Sequence, residues 1–81
     1  YGDALLQMCL LKHRSGDNLL ARAFMQRYLA SSPASAEVLH LGMKIEVALE
    51  DDRAAEEYSN RILREFPQSP EARMVLDTYS P

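Results

Sequence analysis

The sequence predicts an all-α chain, a solenoid of antiparallel helix pairs, on three observations. Residues recur 34 positions apart: Asp17/Asp51, Ala21/Ala55, Arg27/Arg61, Leu29/Leu63 and Pro33/Pro67, joined by Leu5/Leu39, Ser35/Ser69 and Glu37/Glu71. Apolar residues follow helical spacing, as in Leu20, Phe24 and Tyr28, and no stretch shows the period of two that a half-buried strand needs. Start and stop residues bracket the apolar runs at matching places in the two copies. A period of about 34 residues is that of a helix-turn-helix unit, which buries its apolar face only by stacking on its neighbours. The chain therefore reads as one domain, with repeat one over about 2–33, repeat two over about 35–67 and a terminal helix over about 69–79.

Residues 3–14 carry Leu5, Leu6, Met8, Cys9, Leu10 and Leu11 without proline or glycine, and so predict the first helix. Leu5, Met8, Cys9 and Lys12 share one stripe of it, and Leu6, Leu10 and His13 share the next. Ser15-Gly16 ends it, because glycine adopts the left-handed C-cap conformation at little cost. Asp17 is placed to cap the second helix with its carboxylate. On that helix Leu20, Phe24 and Tyr28 run beside Ala21, Met25 and Leu29; the small Ala21 allows close helix approach, and Arg22 falls on the exposed face. Ser31-Ser32-Pro33 stops it.

Ser35 caps the third helix, with Glu37 in its first turn facing the positive end of the helix dipole. Its inner stripe is Val38, Leu41, Gly42 and Ile45. Gly42 costs about 1 kcal/mol against alanine in a helix interior, so it marks a close approach. This helix reads one residue longer than the first before its turn. In the acidic turn Glu50-Asp51-Asp52, Asp51 caps the fourth helix, whose buried stripe is Ala54, Ala55, Tyr58, Ile62 and Phe66 and whose stop is Pro67. Ser69-Pro70-Glu71 restarts the chain as a fifth helix, with Ala72, Val75, Leu76 and Tyr79 as its apolar face.

Composition narrows the function classes. The formal net charge is −3 with both signs interspersed, where a nucleic-acid binder would show a basic stripe. No apolar run approaches the roughly 18 residues needed to span a bilayer. Tyr1 stands where a complete chain would begin with methionine, so the sequence reads as a fragment of a longer array. The single cysteine, Cys9, cannot form a disulfide within the chain. It lies on the buried stripe with no base nearby in sequence, as a small core residue does. His13 and His40 lack any metal-ligand spacing, and Glu50-Asp51-Asp52 lacks the glycine and alternating acids of a calcium loop. No catalytic residue, cofactor or metal site is expected.

Gly16-Asp17, Ala21 and Pro33, repeated as Asp51, Ala55 and Pro67, resemble a tetratricopeptide pair across nearly the whole chain, although Cys9 holds a place usually filled by glycine or alanine. A narrower resemblance lies in Gly16-Asp17-Asn18-Leu19-Leu20-Ala21-Arg22-Ala23, Arg27-Tyr28-Leu29, Leu41-Gly42-Met43-Lys44-Ile45-Glu46, Ala54-Ala55-Glu56-Glu57-Tyr58 and Arg64-Glu65-Phe66-Pro67-Gln68-Ser69-Pro70-Glu71-Ala72. These segments are similar to the C-terminal repeats of the type IV pilus biogenesis/stability lipoproteins, the pilotins of the PilF/PilW family. The resemblance implies a tetratricopeptide array held by an N-terminal lipid at the periplasmic face of the bacterial outer membrane, where it helps the secretin subunit localise and assemble. The lipid-bearing cysteine and the early repeats are absent from these residues, so membrane contact is expected only through that missing anchor.

In repeats of this type the first helix of each pair lines a concave groove. Leu6, Leu10 and His13, with Leu39, Met43 and Glu46, are expected to face it, and His13, Lys44 and Glu46 to rim it. Such a groove suits a partner's amphipathic helix or extended peptide. The competing expectation is that these apolar residues pack against a preceding repeat or the fifth helix. The function expected is a non-enzymatic protein-binding scaffold, part of a pilotin whose partner is the secretin. A generic tetratricopeptide adaptor of another bacterial assembly, or a regulatory domain of a larger protein, is the alternative.

Overall fold

A computed structural model describes residues 2–79, which form five helices: α1 (Gly2–Arg14), α2 (Asn18–Ser31), α3 (Ala36–Ala48), α4 (Asp52–Glu65) and α5 (Pro70–Tyr79). Among the described residues there is no strand, and the protein is all-α. None of these helices is long and apolar enough to cross a membrane.

The 34-residue spacing is carried by the backbone itself. Asp17 N–H donates to Lys12 O at 2.8 Å and Gly16 N–H to His13 O at 3.1 Å; Asp51 N–H donates to Glu46 O at 2.9 Å and Glu50 N–H to Val47 O at 3.0 Å. Both turns thus close with the paired bonds of a Schellman C-cap. The residue at its left-handed position is Gly16 (φ 87°) in the first turn and Glu50 (φ 58°) in the second. The third helix is therefore no longer than the first before its turn. The expected extra residue is absent, because Glu50 takes the left-handed position that Gly16 holds in the first turn.

Helix starts repeat in the same way. Asp17 and Asp51 accept from Leu20 N–H and Ala54 N–H at 3.4 and 3.1 Å, and Ser35 and Ser69 accept from Val38 N–H and Ala72 N–H at 3.2 and 3.1 Å. Each cap satisfies one of the backbone donors that a helix start leaves without a partner. Pro33 follows the end of α2 and Pro67 that of α4, while Pro70 occupies the first position of α5, where its missing N–H costs nothing.

Helix α3 is buried on two sides and divides the core. Val38 and Ile45 face back onto Cys9, Ala21 and Met25 of the first pair. Leu39 and Met43 face forward onto Ala55, Ile62, Ala72 and Val75. Tyr58 packs against both groups. Ala21 and Ala55, at matching positions, are both buried, as close helix approach requires. Gly42 meets the ring of Tyr58 so tightly that a Cβ there would lie 2.6 Å from Cε1.

Candidate partner-binding cleft

The first helices of the successive units, α1, α3 and α5, together line an open cleft of about 570 Å³. Leu6 and Leu10 come from α1, Val38, His40, Leu41 and Lys44 from α3, and Met74 from α5; Tyr28 of α2 also reaches it. Leu6, His40 and Met74 are separated by 34 residues each, as are Leu10 and Lys44. Residues 34 positions apart thus fall on the same side of successive helices in this cleft. Glu37 and Glu71, another such pair, stand in the first turns of α3 and α5 at the edge of the cleft. Burial lowers the pKa of His40, Lys44 pushes in the same direction and Glu71 opposes them, so the site favours the neutral imidazole.

The six residues expected to share a groove do not share one. Leu6 and Leu10 line the cleft. His13 turns aside, its Nδ1 lying 2.7 Å from Asn18 Oδ1 across the α1–α2 turn. Leu39 has no exposed surface and belongs to the forward core. Met43 is buried and its sulfur accepts from Ser59 Oγ at 3.0 Å. Glu46 is buried too, and its carboxylate accepts from both Nε and Nη2 of Arg22.

The correction has a simple cause. One residue along an α-helix turns the side chain by about 100°, so Leu39 and Met43 sit one step away from the cleft-facing His40 and Lys44. The 34-residue spacing applied to Leu6 and Leu10 points to His40 and Lys44 directly; choosing the nearest leucine and methionine instead selected the core. His40, Leu41, Met74 and the two glutamates are the cleft residues that sequence reasoning missed.

Arg22, expected on an exposed face, is the second correction. It bridges three elements, holding Glu46 of α3 and also approaching Asp51, the N-cap of α4, at 3.2 Å. The acids that make this position an ion-pair site are 24 and 29 residues away in sequence, beyond the reach of helical periodicity.

Nothing in the cleft assembles into a reactive group. No hydrogen bond joins His40 to Lys44 or Glu71 among the described residues, and no three His, Cys, Asp or Glu side chains among them come together as metal ligands. Cys9 donates from Sγ to Ala21 O at 3.3 Å, and burial raises its pKa to about 11, so it is a protonated core thiol at neutral pH. What the cleft offers is apolar surface between helices with charged edges, which suits binding. Comparison with protein-family models, with curated proteins and with solved structures gives no match.

Proposed function

We propose that the chain is a tetratricopeptide-type scaffold that binds a segment of a protein partner in the cleft across α1, α3 and α5. The observation that carries this reading is the row Leu6, His40 and Met74, spaced 34 residues apart on three successive helices and lining one cleft. Met74 is 48% exposed, so its side chain is accessible to a partner lying in the cleft. Solenoid repeats use such extended concave surfaces to bind.

The narrower reading is that the scaffold belongs to a pilotin and its partner is the type IV pilus secretin subunit, at the periplasmic face of the outer membrane. Its support is the run Gly16-Asp17-Asn18-Leu19-Leu20-Ala21 with Leu41-Gly42-Met43-Lys44-Ile45-Glu46. Co-precipitation of the secretin subunit with this chain tests both readings. Leu10→Asn and Met74→Asn strip apolar surface from the cleft without altering charge, and together are expected to weaken capture about tenfold or more. Undiminished capture places the binding surface elsewhere on the chain; no capture by the unaltered chain removes the secretin as partner.

A further inference from the structure

Glu37 and Glu71 stand 34 positions apart in the first turns of successive cleft-lining helices, and neither joins a salt bridge among the described residues. An acidic side chain suits the first turn of a helix, but that does not account for both lying on the side that borders the cleft. Beside this edge the cleft is lined by His40 and by the apolar Leu10, Leu41 and Met74. Lys44 lies seven residues along α3 from Glu37, or about 10 Å of helix, so on that helix the two charges stand apart. The chain as a whole carries a net charge of −3.

Spacing adds to the sign of the charge. Helices α3 and α5 pack on each other, and packed helix axes stand about 8–10 Å apart. Three residues of an extended polyproline-like segment cover about 9 Å. A segment crossing the helices therefore sets a side chain of every third residue opposite Glu37 and then Glu71, with its other positions over the apolar lining. Resting on the reading of the cleft as the binding site, we propose that its occupant is a basic amphipathic segment of a partner protein. Lysine or arginine meets the Glu37–Glu71 edge, and apolar side chains cover Leu10, Leu41 and Met74.

The test uses two synthetic fluorescein-labelled probes, one of repeated Lys-Leu-Ala triplets and one of repeated Glu-Leu-Ala triplets, titrated with the whole chain by fluorescence anisotropy. The lysine probe is expected to bind at least about tenfold more tightly, with affinity falling as salt rises. Glu37→Gln with Glu71→Gln is expected to weaken it about fivefold or more, since each exposed pair contributes modestly. Glu56→Gln with Glu57→Gln removes the same charge from the exposed surface of α4 and is expected to leave binding unchanged. Equal binding of the two probes, or equal losses from the two double variants, overturns the basic-partner proposal. Amide NMR shifts on adding the lysine probe separate the failures. Shifts centred on Leu10, Leu41 and Met74 without charge preference leave the cleft reading standing, whereas shifts elsewhere or none overturn both.

Discussion

Gly42 and Tyr58 show how a single atom decides the sign of an effect. Alanine at position 42 gains about 1 kcal/mol of helix propensity. Its Cβ would lie 2.6 Å from the Tyr58 ring, which is wedged between both halves of the core and cannot swing away freely. Overpacking of this kind costs about 1–3 kcal/mol, so Gly42→Ala is expected to lower stability. In a Tyr58→Ala background the obstacle is gone, and the same Gly42→Ala change is expected to raise stability; thermal unfolding of the four proteins reads both signs. Cys9 governs a different variable. Its pKa rises from 9.0 to about 11 on folding because burial penalises the thiolate. The folded chain therefore holds this proton more tightly than the unfolded one. Its contribution is complete below pH 9.0 and is lost as pH climbs to about 11, at about 1.4 kcal/mol per pH unit within that window. Tyr58, raised first by burial and then by Glu46, adds to the same alkaline slope. Cys9→Ala is expected to flatten the fall in melting temperature between about pH 8 and about pH 10.5. An unchanged slope would leave Tyr58 as its source.

At the scale of elements, local chemistry was legible and face assignment was not. Asp17, Ser35, Asp51 and Ser69 act through the backbone three residues away, so their caps could be read from adjacent residues. Apolar runs bracketed by start and stop residues place all five helices, and Gly42 in a helix interior marks the close approach that the Tyr58 ring makes. The side of α3 that faces the cleft could not be read from apolarity, because this helix is buried on two sides and its cleft row contains a histidine and a lysine. Glu50 escaped for a related reason, since a non-glycine left-handed residue carries no signature in its own identity. The Arg22 bridge was likewise invisible. Arg22→Ala is expected to lower stability measurably, because the Glu46 side chain, only 5% exposed, is left without its donors. A lone surface charge would change stability by less than about 0.5 kcal/mol. Arg22→Met with Glu46→Leu removes both charges and is expected to recover most of the loss. Chemical denaturation of the three variants distinguishes a buried bridge from a surface arginine, which would show no loss to recover.

For the whole molecule, the question is whether two stacked units unfold as one. Helix pairs packed in series can open from an end where each contacts only its neighbours. Here the shared element is large relative to the chain. Helix α3 supplies Val38 and Ile45 to one core and Leu39 and Met43 to the other, and Tyr58 touches both. Neither core keeps a continuous wall if α3 leaves. A chain of this size has a total stability of about 4–12 kcal/mol, and Leu39→Ala alone removes about 2–5 kcal/mol through lost transfer energy and the cavity it leaves. That change is made in the forward core, whereas Cys9 reports on the other one. The midpoint for exposure of the Cys9 thiol in urea is therefore expected to coincide with the midpoint for loss of helical circular dichroism. Leu39→Ala is expected to lower both by the same amount. If the Cys9 midpoint stays in place while the helical signal divides into two steps, the units unfold separately and α3 does not couple them. If both midpoints move together, the repeat boundary drawn at Pro33 marks a sequence period and not a boundary of stability.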